Sequence, residues 1–339
     1  MSLPPPSTAL VYDPVYLEHD TGPGFPENPS RLVWLKSHLE KVHLWNRLLI
    51  LTCADAPDPI PWIRTVHSDS YLERLRTAVQ RGEHLWNGDP DCPISSRSWR
   101  VAECAVAGVL AAVDAVASGR VRNAFAAVRP PGHHAMPDRA KGFCLLNNVA
   151  TATRYVQRVH RMERVMIVDW DVHHGDGTQT IFYQDPTVFY FSTHQYPFYP
   201  GPSGSEEHTG AGAGRDTNLN VPLPAGSGDR AVLEAFERRL APAIRRFQPQ
   251  WLFISAGFDA HHADPLGGLG WSDEVYAQLT FRLRRWLLEL GHERIVSVLE
   301  GGYSRPGMTT AVAQHLAALM EPIPSSTAPA PRPSPTLGN

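Results

Sequence analysis

Five short apolar runs constrain this chain more than any other feature: Ala124–Val128, Val165–Val168, Val188–Phe191, Trp251–Ile254 and Ile295–Leu299. None alternates apolar with polar residues, which is the pattern of strands covered on both faces. Helix-like stretches lie between and around them, at Trp99–Ala117, Asn147–His160, Arg230–Phe247, Asp273–Leu290 and Gly307–Leu319. Strands that alternate with helices pair in parallel, because each return path crosses a face of the sheet. The predicted fold is therefore α/β, with a three-layer α/β/α arrangement and a central, mainly parallel sheet. No linker-like stretch divides residues 9–321, so one catalytic-sized domain is expected there. The segments 1–8 and 322–339 are rich in Pro, Ser and Ala, bury little apolar surface and are expected to be disordered.

Charge and cysteine usage exclude several classes. The formal net charge is -3, which argues against a nucleic-acid binder that needs a concentrated basic surface. The four cysteines, Cys53, Cys92, Cys104 and Cys144, form no CxxC pair, so neither a zinc finger nor a dense disulfide framework is expected. No window resembles a signal peptide or a membrane span, so the sequence predicts a cytoplasmic protein with no membrane partner. Homo-oligomerisation stays open. The unusual count is 16 histidines, several in pairs.

In parallel sheets, sites gather where strands end and loops begin. Four polar clusters follow that rule: RPPGHH after Val128, DWDVHHGDG after Val168, SAGFD after Ile254 and EGGY after Leu299. In extended backbone Asp169, Asp171 and His173 face one way, so an Asp and a His two apart can share one ion. Asp259, from another strand end, completes a set of one imidazole and carboxylates. Such a set leaves coordination positions open, as catalytic sites do. Its N/O donors suit Zn²⁺ without excluding Fe²⁺, Co²⁺ or Mn²⁺. The adjacent imidazoles of His133 and His134 become water-activating bases if a carboxylate stands behind each, and Asp169 and Asp176 are available. Tyr303, after two glycines, can donate a hydrogen bond to a tetrahedral oxyanion.

RPPGHHA, GFCLLNN, VDWDVHHGDGTQ, SAGFDAHHADPLGG and LEGGY, in that order, resemble the zinc-dependent histone deacetylase family. DPLGG and the L-N-N ending resemble class II deacetylases and bacterial histone deacetylase-like amidohydrolases. The resemblance covers about residues 10–320. It implies the arginase–deacetylase fold, with about eight strands, and an enzyme that hydrolyses linear amides.

Residue by residue, the resemblance implies zinc ligands at Asp171, His173 and Asp259, with His133 paired to Asp169, His134 to Asp176, and Tyr303 polarising the scissile acyl oxygen. Gly142, Phe143, Tyr199 and Leu266 would line the acyl-lysine tunnel, with Asp91 at its rim. A structural K⁺ would be held by the carbonyls of Asp169, Asp171 and His173 with Ser192 and Thr193. Arg31, with Gly301 and Gly302, would line a channel for the released acid.

The expected partner is an acylated lysine peptide or protein, or a small acylated amine. Leu266 is apolar where a carboxylate would suit a cationic polyamine, which favours acyl-lysine over acetylpolyamine substrates. An arginase-like ureohydrolase with two Mn ions fits less well, because only one D-x-H and one distant Asp are present. A catalytically dead acyl-lysine-binding module is opposed by the intact His133, His134 and Tyr303. Cys92 and Cys144 fall in loops near the rim, where a redox-switching disulfide competes with plain packed thiols.

Overall fold

The computed structural model describes residues 7–323. Eight strands form: β1 (Thr8–Val11), β2 (Leu49–Leu51), β3 (Asn123–Ala126), β4 (Val165–Asp169), β5 (Val188–Gln195), β6 (Asn218–Leu223), β7 (Trp251–Ala256) and β8 (Ile295–Leu299). They make one sheet in the order β2–β1–β3–β8–β7–β4–β5–β6, and every neighbouring pair is parallel. The five apolar runs supply β3, β4, β5, β7 and β8. The sequence reading missed β1, β2 and β6. The first two are only three or four residues long, and β6 (NLNVPL) carries two asparagines and a proline. A proline is tolerated there because β6 is an edge strand.

The helices are α1 (Ser30–Lys41), α2 (Ile60–Ile63), α3 (Asp69–Gln80), α4 (Ser98–Ala117), α5 (Asn148–Val159), α6 (Asp176–Phe182), α7 (Asp229–Ala235), α8 (Ala241–Phe247), α9 (Asp273–Glu289) and α10 (Arg305–Met320). A π-helical turn over Phe236–Leu240 joins α7 to α8, so the expected single helix is continuous but locally widened. The side chain of Asn147 caps α5 by accepting the Ala150 N–H, which ends the GFCLLNN loop and starts the helix. Both sheet faces are covered: β3, β4, β7 and β8 are buried along their whole length.

The folded region begins earlier than the sequence suggested. Thr8 opens β1, and its hydroxyl donates to Asn123 Oδ1 at 2.7 Å, while the Ser7 carbonyl accepts the Arg122 N–H. Residues 7 and 8 therefore belong to the domain, because sheet pairing supplies the partners that their own composition does not. Residues 1–6 and 324–339, the rest of the expected tails, lie outside the described residues. Among the described residues no helix is long and apolar enough to cross a membrane.

Candidate active site

The four polar clusters follow β3, β8, β7 and β4, which are consecutive neighbours at the centre of the sheet. Their register is level: Ala126 pairs with Val298, Val298 with Ser255, and Ser255 with Asp169. Residues as far apart in sequence as Gly132 and Glu300, 168 positions, therefore meet on one rim, as the open parallel sheet requires.

Asp171, His173 and Asp259 each offer a ligand atom within 4.8 Å of the others. Backbone amides fix the carboxylates: Gly301 N–H donates to Asp171 Oδ2 and Val172 N–H to Asp259 Oδ1, both at 2.8 Å. The remaining oxygens face His173 Nδ1, Asp171 Oδ1 at 3.0 Å and Asp259 Oδ2 at 3.3 Å. Asp259 Oδ2 is buried and has no hydrogen bond. Two fully buried carboxylates side by side are costly without a cation, and burial together with the Asp171 charge pushes the Asp259 carboxyl up to about 7. An orphaned oxygen among hard and borderline donors fits a divalent metal. Gly301 makes the close approach possible, since a Cβ there would sit 1.9 Å from Asp259 Oδ2.

Beside the triad, His133 and His134 pack with ring centroids 4.0 Å apart. His133 Nδ1 lies 3.1 Å from Asp169 Oδ2, and His134 Nδ1 lies 2.7 Å from Asp176 Oδ1. The two rings are driven in opposite directions. Burial alone would lower His133, but Asp171 and Asp169 outweigh it and hold its pKa well above the ordinary value. Burial, reinforced by His133, pushes His134 down to about 4 against the pull of Asp176. Lys141 contacts the second oxygen of Asp176, and with His134 it brings that carboxyl down to about 2 despite burial.

A narrow tunnel of about 240 Å³ leads to these groups. It is lined by Gly142, Phe143, Tyr199, Leu266 and Asp91, as the sequence suggested, and by Pro131 and Phe198, which it did not single out. Phe198 stacks on His173 at 5.4 Å, while Tyr199 stands edge-on to His134 at 5.2 Å. Gly142 (φ +54°) turns under the His134 ring, where a Cβ would lie 2.6 Å from Cδ2. The Asp91 carbonyl accepts the Phe143 N–H at 2.8 Å, which joins the two loops at the rim. Asp264 ties Tyr303 to Leu266: its Oδ2 accepts the Tyr303 N–H at 2.6 Å and its Oδ1 the Leu266 N–H at 2.9 Å. A larger surface groove of about 840 Å³ runs along Ser70, Arg74 and Asp138. It contains none of the triad or the histidine pair, so the chemistry places the site in the smaller tunnel.

Beneath the rim, Ser192 Oγ is engaged by His194 at 2.8 Å, and the buried Thr193 hydroxyl has no partner among the described residues. Arg31 is fully buried. It donates to the Gly302 carbonyl at 2.8 Å and the Glu300 carbonyl at 2.6 Å, and its guanidinium lies 4.9 Å from the Tyr303 ring centre. Glu27, Arg129 and Glu300 complete this buried layer. Glu27 stands four residues before Arg31 and Glu300 inside LEGGY, yet nothing in the sequence says which distant group each meets. Cys92 and Cys144 are free, buried thiols whose pKa values burial raises, so they stand as packed side chains. His174 bonds Ser203 and Gln179 outside the triad.

Comparison with known proteins places the chain in the same setting. Residues 25–319 match the histone deacetylase domain family. The histone deacetylase-like amidohydrolase of Pseudomonas aeruginosa is 37% identical over 315 residues, covering 88% of this chain and 82% of that protein. The chloroplastic histone deacetylase 10 of Oryza sativa subsp. japonica is 40% identical over 308 residues, covering 87% of this chain and 69% of its own length. Among solved structures, the crystal structure of the HDA15 HD domain superposes with a TM-score of 0.85 at 33% identity, covering 93% of this chain and 89% of that one. The single eight-stranded parallel sheet flanked by helices is thus the arginase–deacetylase fold.

Proposed function

Because the chain belongs to the histone deacetylase domain family of deacetylases and amidohydrolases, we propose that it is a zinc-dependent deacylase of N-acyl-lysine side chains, releasing acetate or another short acid. The observation that carries this reading is one tunnel ending on the Asp171–His173–Asp259 triad, two His–Asp pairs and the Tyr303 phenol.

Asp171, His173 and Asp259 would hold the metal, which when bound supplies Lewis-acid polarisation of the amide carbonyl and a more acidic water. The protein's own groups perform the rest. Phe143, Phe198 and Tyr199 would sheathe the aliphatic stem of the lysine and exclude bulk water. His134, held neutral at pH 7 by burial, would take the proton of the attacking water through Nε2 while Asp176 orients the ring through Nδ1. Tyr303 would donate its O–H to the developing oxyanion. His133, held through Nδ1 by Asp169, would deliver a proton to the leaving amine. Arg31, on the Gly301–Gly302 side of the turn, would attract the carboxylate product. K⁺ would be held by the Asp169, Asp171 and His173 carbonyls with Ser192 and Thr193, fixing the base of the same loop; the unpartnered Thr193 hydroxyl supports that cradle.

The substrate class rests on the rim. Leu266 offers a cationic polyamine no counter-charge, and Asp91, at the tunnel, would accept backbone N–H groups of a peptide. The decisive experiment is hydrolysis of acetyl-lysine peptides and acetylpolyamines by the purified protein, with and without a chelator and a hydroxamate. Chelator- and hydroxamate-sensitive release of acetate from the peptides supports the proposal. A preference above about tenfold for acetylpolyamines replaces the substrate class, and binding without turnover replaces the enzyme with an acyl-lysine-binding module.

A further inference from the structure

Glu300 follows β8 with its side chain fully buried, and its carboxylate spans three neighbouring strand ends. Oε2 accepts the Gly132 N–H at 2.6 Å and the His133 N–H at 3.1 Å. Oε1 accepts the Ser255 hydroxyl, on β7, at 3.1 Å. The main chain of Glu300 is itself pinned: its N–H donates to the Ala256 carbonyl at 3.1 Å, and its carbonyl accepts Arg31 Nη2 at 2.6 Å. The brace therefore has a fixed base.

The two amides it accepts belong to the loop that follows β3 and presents His133 and His134. That loop is neither strand nor helix. Its carbonyls are held from the outer side, His133 by the Thr178 N–H and Pro130 by Asn148 Nδ2, both at 3.1 Å, which leaves the Gly132 and His133 amides to Glu300. On its outer side Gly132 is pressed against the start of α5, where a Cβ would lie 2.6 Å from the Asn148 nitrogen. On its inner side these two buried amides share one acceptor, Glu300 Oε2. Two consecutive buried N–H groups left without an acceptor would pull the loop toward some other partner. A displacement of about 1 Å in a proton-transfer group can cost about a hundredfold in rate.

We propose that Glu300 is a positioning residue, which sets the depth of the His133–His134 pair over the metal triad by accepting the consecutive amides of their loop. The inference rests on the deacylase reading, since it concerns the placement of that reaction's proton-transfer groups. What matters is the reach of the side chain. A glutamine can present its carbonyl oxygen to the same two amides and its NH₂ to the Ser255 oxygen. An aspartate keeps the carboxyl group but falls one methylene short of at least one of the three strand ends.

The test is a comparison of full-length, metal-loaded wild type with Glu300→Gln, Glu300→Asp and Glu300→Ala on an acetyl-lysine peptide. It is read as kcat, KM, metal content, and hydrogen exchange at the Gly132 and His133 amides. E300Q should stay within about threefold of wild-type kcat and keep both amides protected. E300D and E300A should lose about tenfold to a hundredfold in kcat, with KM within about twofold, metal content unchanged and both amides exchanging faster. A folded E300D with wild-type kcat overturns the inference, as does an E300Q as impaired as E300D. Should E300A fail to fold, the contrast between E300Q and E300D decides. An inactive wild type sinks the deacylase reading and this inference with it, whereas an active wild type beside an unaffected E300D removes this inference alone.

Discussion

Glu27 and Arg129 form a bidentate ion pair with both side chains at zero exposure, Nε to Oε1 at 2.8 Å and Nη2 to Oε2 at 2.9 Å. Arg31 joins it, with Nη1 3.1 Å from Glu27 Oε1. Burial pushes the Glu27 carboxyl up, but the two guanidiniums outweigh it and bring it down to about 2. A carboxylate depressed on folding adds stability above its unfolded pKa, and that stability is lost as pH falls from about 4.5 through about 2. The contribution is on the order of 3 kcal/mol. Glu27→Gln keeps the shape but leaves two buried guanidiniums without a counter-charge, so denaturant unfolding at pH 7 should show a loss of about 3–5 kcal/mol. A variant within about 0.5 kcal/mol of wild type would count against this pairing.

Acid should act earlier through buried histidines. His67 donates from Nδ1 to the Met136 carbonyl at 2.9 Å, and its Nε2 accepts the Asn147 N–H at 2.9 Å, so the folded state holds one neutral tautomer. Burial brings its pKa down to about 4. Between about pH 6.5 and 4 the unfolded chain takes up this proton and the folded chain does not, so stability falls as pH falls. Urea midpoints should decline below pH 6.5, and His67→Gln should remove about one proton from that slope. An unchanged slope in a folded H67Q protein would assign the acid sensitivity elsewhere.

Tyr303→Phe removes the hydroxyl proposed to meet the oxyanion while keeping the ring between Phe143 and Arg31. kcat should fall by about 10²–10³, with metal content and Tm near wild type. Near-wild-type turnover would dismiss Tyr303 as an oxyanion donor.

Asp259→Ala removes the orphaned oxygen of the triad. Metal stoichiometry after dialysis should drop from about one per chain toward zero. Added Zn²⁺ should then raise the Tm of wild type but not of the variant, as linkage to a site present only in the folded state requires. Equal metal retention would remove Asp259 from the ligand set.

Gly142→Ala asks an L residue to hold φ +54° and drives a methyl toward His134. The His134 ring is braced by Asp176 and cannot yield cheaply. Hydrolysis should lose at least about tenfold in kcat/KM, and hydroxamate binding should weaken in parallel. Unchanged inhibitor affinity would show that the loop relaxes outward instead.

The sequence by itself determined the layer architecture and the chemical inventory. The non-alternating runs that became β3, β4, β5, β7 and β8 could be stable only with both faces covered. The i, i+2 spacing of Asp169, Asp171 and His173 marked them as one group, although β4 ends at Asp169 and residues 171–173 bend away from the extended chain. Those signals are local, so a linear reading finds them. The strands β1, β2 and β6 carry too little local preference, and they exist because a neighbour completes their ladders. The long-range partnerships are of the same kind. Glu27 meets Arg129 across 102 residues, and Glu300 meets Gly132 across 168. Only strand order and register decide which buried charge faces which, because burial makes every unpaired polar group costly and the fold alone sets what is within reach. The reaction class was therefore legible in the order of the motifs, while the depth and protonation of His133 and His134 were decided by tertiary structure.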